Sequence, residues 1–181
     1  MQQVAGIKKV QAVIIAVAMA AVMAFAMGLG AQKAFAEDAL PYNQTASVTV
    51  NGSEFTFMNK TPDPGVTLVK MKSNKKSISV PATVTINGMK YNVGQIGPKA
   101  FKGTKAKTIT LPATVKTIKK QAFKGSKATK LVLKTTKLTK SSVKKCLKGS
   151  KIKVVKAPKS KKAAYKKIFT KKNCGKKVKV K

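Results

Sequence analysis

Two stretches near the start of the sequence alternate between apolar and polar residues around an Asn-Gly pair. Residues 46–57 read ASVTVNGSEFTF, with Asn51-Gly52 at the centre. Residues 77–93 read SISVPATVTINGMKYNV and hold a second pair, Asn87-Gly88. Asn-Gly between alternating runs is the strongest short-range signal for a β-hairpin, because both residues tolerate the positive φ of a tight turn. The pattern therefore predicts a hairpin at each pair.

A longer pattern repeats further along the chain. The segment IGPKAFKGTKAKTITLPATVKT (96–117) is followed by IKKQAFKGSKATKLVLKTTKLT (118–139) and by a third copy, VKKCLKGSKIKVVKAP (143–158). In each copy, apolar residues spaced for a short helical turn precede a glycine that permits a left-handed exit. An alternating segment follows, which predicts a short strand with one buried face. The equivalent residues are Gly103, Gly125 and Gly149; Ala100, Ala122 and Cys146; Phe101, Phe123 and Leu147; Ile109, Leu131 and Val155; and Leu111, Leu133 and Ala157, with Ile78 matching Ile109 upstream.

One such unit cannot bury its apolar face alone, whereas stacked units can. We therefore expect an α/β-type repeat fold over residues 78–158, a short solenoid of about three coils with parallel strands on one side. Residues 37–77 are expected to form an N-terminal β-hairpin cap with its loop. Residues 159–181 are expected to form a C-terminal helix-strand cap, because open solenoid ends need shielding. In that cap, Ser160 would begin a helix over 161–171, and Gly175 would end it. The buried face of this helix would hold Ala164, Tyr165, Ile168 and Phe169. The closing KVKVK would form a strand.

The run IGPKAFKGTKAKTITLPATVKTIKKQAFKG resembles the BspA-type leucine-rich repeats of bacterial surface proteins. The resemblance covers residues 78–158. The tail KAPKSKKAAYKKIFTKKNCGKKVKVK is similar to the closing segment of lysine-rich family members from Gram-positive anaerobes. The resemblance implies a short leucine-rich-repeat solenoid, secretion or surface display, and a role in adhesion or host contact. Since the family has no shared catalytic residues, it implies none here.

Residues 1–36 have the pattern of a secretory signal peptide. Lys8 and Lys9 precede an apolar run, and Ala34-Phe35-Ala36 offers a small-x-small cleavage site. The alternative is an uncleaved membrane anchor, because the run over 12–31 is about long enough to span a bilayer. Cleavage after Ala36 would leave a chain of one-domain length with no transmembrane anchor, secreted from the cell.

The inventory of reactive side chains argues against an enzyme. The sequence has no histidine and four acidic residues, namely Glu37, Asp38, Glu54 and Asp63, all of which precede the repeats. No carboxylate pair is set up for acid–base work, and two cysteines make neither a metal cluster nor a nucleophile with a partner base. We therefore expect no catalytic residue, metal, cofactor or small-molecule substrate. Export would expose Cys146 and Cys174 to an oxidising environment, and the sequence leaves open whether they form a disulfide or stay unpaired.

The charge is extreme: 39 basic residues, all of them lysine, give a net charge of +35. The repeat places lysine immediately before each glycine and again two residues after it. Stacked at the strand spacing of about 5 Å, neighbouring ammonium groups repel by about 0.8 kcal/mol in bulk water. An anionic wall polymer or polysaccharide, similar to teichoic acid or glycosaminoglycan, would relieve this repulsion, so we expect association with the cell wall; the alternative is a merely solvated surface. The two predicted lysine ladders are Lys102, Lys124 and Lys148, and Lys105, Lys127 and Lys151.

The outward face of the predicted strands is the alternative binding site to the lysine ladders. Repeat proteins often bind partners through such a face, so a surface or matrix protein is the alternative partner. Nucleic acid is less favoured, because the chain lacks the arginine that reads bases and its phenylalanines at 101 and 123 are expected in the core. The predicted strand face consists of Thr108, Thr110, Lys130, Val132, Val154 and Lys156.

Overall fold

The computed structural model describes residues 39–59 and 65–181. The predicted signal peptide lies outside the described residues. The strands are β1 (Thr45–Val50), β2 (Ser53–Met58), β3 (Gly65–Lys72), β4 (Ser77–Ser79), β5 (Thr83–Ile86), β6 (Met89–Ile96), β7 (Thr108–Leu111), β8 (Thr117–Ile118), β9 (Lys130–Leu133), β10 (Val154–Lys156) and β11 (Lys179–Val180). The α-helices are α1 (Lys162–Ile168) and α2 (Lys171–Cys174), and single 3-10 turns span Ser141–Val143 and Lys159–Lys161.

The first sheet has the order β1-β2-β3-β6-β5, with β8 also paired to β6. Both predicted hairpins are confirmed. Asn51 and Gly52 have φ of 48° and 66°, and Asn87 and Gly88 have φ of 50° and 75°, which is the positive-φ pair that a two-residue hairpin turn needs. The N-terminal hairpin is joined by β3, which runs antiparallel to β2 and parallel to β6. This sheet therefore continues past residue 77 into the region assigned to the repeats.

The second sheet contains the repeat strands in the order β11-β10-β9-β7-β4, all parallel. Ile109 lies opposite Leu131, and Leu131 lies opposite Val155, which confirms the predicted equivalences. The pairing of Ile78 with Ile109 is also as predicted. These side chains are buried because the alternating pattern points every second residue to the same side of the sheet.

Before Gly103 and Gly125, hydrogen-bonded turns take the place of the predicted helical turn, whereas the third copy begins with the 3-10 turn Ser141–Val143. Lys102 N–H donates to the Lys99 carbonyl oxygen at 2.8 Å, and Lys124 N–H donates to the Gln121 carbonyl at 2.9 Å, the three-residue spacing of a turn. Lys99 and Gln121 have positive φ of 54° and 59°, as does Lys145 at 53°. Hydrogen bonds between repeats hold these backbones, such as Gln121 N–H to the Lys145 carbonyl at 3.0 Å. The buried rings of Phe101 and Phe123 stack with centroids 5.0 Å apart, so adjacent repeats share one core.

The C-terminal segment differs from the single helix predicted over 161–171. The residue before α1 is Lys161 rather than Ser160, and no side chain caps it. The first helix ends at Phe169. The hydroxyl of Thr170 then caps α2 by accepting a hydrogen bond from Asn173 N–H at 3.2 Å. Tyr165 and Phe169 are buried as predicted, whereas Ala164 is exposed. The break lets both aromatic rings reach the core, with their centroids 5.9 Å apart.

Candidate functional site

The first predicted ladder lies on the turn edge, and its lysine stems lie across the glycines of the following repeats. Lys102, Lys124 and Lys148 are all exposed. A methyl group added to Gly125 would lie 3.2 Å from Lys102 Cγ, and one added to Gly149 would lie 3.2 Å from Lys124 Cγ. Each lysine therefore packs its methylene stem on the neighbouring repeat and keeps its ammonium group in solvent.

Gly175 extends this pattern to a position that the repeat alignment missed. It ends α2 with φ of +82°, close to the +74° of Gly149. A methyl group on Gly175 would lie 2.9 Å from Lys148 Cβ, so Lys148 also packs over a glycine of the next turn. The helix-ending glycine predicted from the sequence is thus also the fourth glycine of the repeat edge, because the backbone of Cys174 is hydrogen-bonded to that of Leu147 at 2.9 Å.

The second predicted ladder, Lys105, Lys127 and Lys151, is exposed on the same edge two residues beyond each glycine. Its middle member is fixed by the backbone, since Lys127 N–H donates to the Thr104 carbonyl at 3.0 Å. Among the residues that the structure describes, Glu54 is the one acidic side chain, and it pairs with Lys72 Nζ at 3.4 Å in the first sheet. No side-chain carboxylate of the described ranges therefore neutralises either ladder.

The predicted strand face is assembled by the parallel register. One row contains Thr108, Lys130 and Val154, and the next row contains Thr110, Val132 and Lys156. The two threonines and two valines are half-buried, and the two lysines are exposed. The face changes along the sheet, from hydroxyl groups on β4 and β7 to valine and lysine on β9 and β10.

A cavity of about 590 Å³ lies at the lysine-rich end of this face. The sequence reasoning placed Lys130, Val154 and Lys156 on the face but missed the cavity. Of its four other lysines, Lys153 directly precedes β10. The remaining three depend on tertiary structure, since the pairing of β11 with β10 brings in Lys181, and the turn after β10 brings in Lys159 and Lys162. The lining residues are Thr129, Lys130, Lys153, Val154, Lys156, Ala157, Lys159, Lys162 and Lys181.

Cys146 and Cys174 lie on adjacent turns of the repeat. Lys145 N–H donates to the Asn173 carbonyl at 2.7 Å, so the residues just before the two cysteines are backbone neighbours. Both cysteines are buried, free thiols in the structure; a disulfide between them was one of the two alternatives that the sequence left open. Burial raises the pKa of both thiols, and the neighbouring Cys174 raises that of Cys146 further. These thiols are therefore poor nucleophiles.

Within residues 39–59 and 65–181, no three His, Cys, Asp or Glu side chains lie close enough together to hold a metal ion. In the same described ranges, no helix is both long and apolar enough to cross a membrane.

A solved structure shows a similar fold. A leucine-rich repeat protein from Bacteroides capillosus is 23% identical, with a TM-score of 0.51 over 75% of this chain and 98% of that one. A leucine rich cell surface protein from Faecalibacterium prausnitzii is 22% identical, with a TM-score of 0.42 over 64% of this chain and 27% of its own length. A leucine-rich repeat protein from Bacteroides ovatus is 21% identical, with a TM-score of 0.43 over 56% of this chain and 30% of that one. The chain thus spans less than a third of the length of the latter two. No curated protein matches the sequence.

The family model described as BspA type Leucine rich repeat region (6 copies) matches residues 94–181. These residues contain the three glycine-centred copies, the C-terminal helices and β11. The match confirms the resemblance seen in the repeats. Residues 94–181 are therefore similar to the BspA-type leucine-rich repeat region.

Proposed function

We propose that this protein is a non-enzymatic binding module that acts outside the cell, at a bacterial surface, where its lysine ladders hold it to an anionic polymer. The leucine-rich repeat family supports the first part, since such repeats are scaffolds that present extended binding surfaces. The predicted signal peptide supports an extracellular location. The parallel strands support a short solenoid of about three coils, with the first sheet and the α1–β11 segment as its two caps.

The observation that carries the proposal is the packing of the ladder lysines. Lys124 is typical: its Cγ and Cδ lie 3.2 Å and 3.5 Å from the position of a methyl group on Gly149. A stem held in this way has fewer conformations to lose when the ammonium group meets an anion, so binding costs less conformational entropy. A polymer with regularly spaced negative charges would contact several repeats at once and would release its own counterions.

The side-chain chemistry favours a wall polymer or polysaccharide over specific nucleic-acid recognition. Lysine is a compact point charge that attracts any anion, whereas arginine makes the paired contacts that read a base edge. The chain has no arginine. The proposed partner is therefore similar to teichoic acid or glycosaminoglycan, bound reversibly and in a salt-sensitive way.

A wall-binding assay tests this proposal. Purified protein is bound to isolated cell walls at low salt and eluted with rising salt, comparing the wild type with Lys124→Gln/Lys127→Gln. Lys70→Gln/Lys90→Gln is the matched control, because it removes the same charge from exposed positions on the first sheet. We expect the ladder variant to elute at lower salt than the control. Equal elution of the two variants, or a wild type that stays unbound at low salt, would contradict the proposal.

The alternative partner is a surface or matrix protein bound by the strand face. It is favoured by the half-buried Val132 and Val154, which would give such a partner apolar area to cover. Thr110→Glu/Val132→Glu separates the two proposals, because the two residues face each other across β7 and β9, away from the ladders. Binding to a protein should be abolished by this variant, whereas binding to the wall should weaken only modestly.

A further inference from the structure

The cavity at the lysine-rich end of the strand face has two walls. One is formed by β9 and β10 together with residues that directly precede or follow strands, namely Thr129, Lys153, Ala157 and Lys181. The other is formed by Lys159 of the 3-10 turn and Lys162, the first residue of α1. Its volume of about 590 Å³ is in the range of pockets that hold small ligands. It is separate from the ladders, because none of the six ladder lysines lines it.

The six lysines that line the cavity are called its rim, and the two apolar residues, Val154 and the largely buried Ala157, are called its floor. None of the described residues that line the cavity carries a side-chain carboxylate. Six like charges around one concavity raise the local positive potential above that of an open surface, because the low-dielectric walls concentrate the field.

Backbone hydrogen bonds hold this arrangement. Lys181 N–H donates to the Val155 carbonyl at 2.9 Å, and Ala157 N–H donates to the Lys181 carbonyl at 2.9 Å, so Lys181 is locked beside Lys156. On the other wall, Lys161 N–H donates to the Pro158 carbonyl at 3.0 Å. Tyr165, three residues into α1, is buried and fixes that helix against the core. The lysines therefore project from two rigid walls.

We propose that this cavity binds a segment of a phosphodiester chain, with the phosphates at the lysine rim and the carbon backbone between them over Val154 and Ala157. The proposal rests on the proposed polyanion-binding function and gives it a discrete site. Phosphate is favoured over carboxylate because lysine binds a tetrahedral anion well as a point charge, whereas the flat carboxylate is matched by the planar fork of arginine. The apolar floor favours a chain with carbon spacers over free phosphate.

The test measures binding of a short glycerol phosphate oligomer to the full chain by calorimetry at low salt. Lys159→Gln/Lys162→Gln removes two rim charges from exposed positions outside the sheet, and Lys70→Gln/Lys90→Gln is again the matched control. We expect the rim variant to bind about tenfold more weakly or worse, the effect of losing hydrogen bonds to an ion, and the control to be little changed. An oligogalacturonate of equal charge, which carries carboxylates, should bind the wild type more weakly than the glycerol phosphate oligomer.

The outcomes separate this proposal from the proposed function. If the rim and control variants lose the same affinity, or if oligogalacturonate binds as tightly, the phosphodiester site is wrong. If the rim variant is unchanged while Lys124→Gln/Lys127→Gln is released from cell walls at lower salt, the site is again wrong and the polyanion function stands. If the wild type binds neither the oligomer nor cell walls, the proposed function itself fails.

Discussion

Alanine at the repeat glycines separates the two roles that these residues have. Gly103 has φ of +80°, and no atom of the described ranges beyond its chain neighbours lies within 4 Å of an added methyl group, so Gly103→Ala measures the backbone cost. A left-handed conformation costs an L-residue about 1–2 kcal/mol. Gly149→Ala has the same backbone cost, at φ of +74°, and also brings its methyl group to 3.2 Å from Lys124 Cγ. We expect it to destabilise by about 1 kcal/mol more, as overpacking does.

Removal of the lysine stem should rescue one glycine variant and not another. Lys124→Ala deletes Cγ and the atoms beyond it, so Gly149→Ala/Lys124→Ala should be more stable than the sum of the single changes by about 0.5–1 kcal/mol. At Gly175 the nearest atoms are Lys148 Cβ at 2.9 Å and Cα at 3.3 Å. Alanine at 148 retains both atoms, so Lys148→Ala should not rescue Gly175→Ala, which should be the most destabilised of the single variants.

Urea unfolding followed by circular dichroism measures these free energies of unfolding. The slope of the free energy against urea must stay constant across the set, so that midpoint shifts report stability rather than a changed denatured state. Equal destabilisation by Gly103→Ala and Gly149→Ala, or strict additivity of Gly149→Ala with Lys124→Ala, would show that the lysine stem does not pack on the glycine. The ladder lysines would then be mobile, and the entropic argument for polymer binding would be lost.

Three further outcomes are expected. Gln121→Gly should raise the free energy of unfolding by about 0.5–1 kcal/mol, because Gln121 has φ of +59° and glycine adopts this region without strain. If urea unfolding shows no stabilisation, the backbone at this position is not strained. Tyr165→Phe should lower the free energy of unfolding by about 1–3 kcal/mol, because the buried Tyr165 hydroxyl donates to the Thr135 carbonyl at 2.9 Å and accepts from Leu138 N–H at 3.2 Å. Tyr42→Phe is the control and should leave stability unchanged, because Tyr42 is 67% exposed. Cys146 and Cys174 should react slowly with a thiol reagent in the native protein, because both are buried and burial raises the pKa of both thiols, which lowers the fraction of reactive thiolate. Both should react at once after unfolding without reductant; two thiols missing at that stage would indicate a disulfide.

The sequence was most informative where a local rule decides the structure. Asn-Gly pairs set both hairpins because only residues that tolerate positive φ can occupy such turns. Strand register followed from alternation, since a shift of one residue would turn every apolar side chain of β7 or β9 to solvent. The glycine spacing gave the repeat itself, and through it the positions of both lysine ladders.

Local rules failed where contacts between repeats determine the conformation. Nothing about Lys99, Gln121 or Lys145 favours a left-handed backbone, and hydrogen bonds to the next turn hold them there. The continuous helix predicted over 161–171 fitted the apolar spacing, yet burial of Phe169 and the cap at Thr170 divide it. At the left-handed residues, hydrogen bonds between repeats outweigh a conformational cost of about 1–2 kcal/mol. In the C-terminal segment, burial of Phe169 outweighs a helix propensity that is worth only a fraction of a kcal/mol per residue.

The sequence by itself determined the repeat, its register and its charge. Tertiary structure decided which lysines act together. Lys159 and Lys162 join Lys130 and Lys181 around one cavity because β11 pairs with β10 and the turn after Pro158 folds beside them. These are contacts between residues far apart in the chain, set by the closing of the sheet rather than by any local pattern. For the same reason, the stacking of Lys124 on Gly149 was visible only once the two repeats lay side by side.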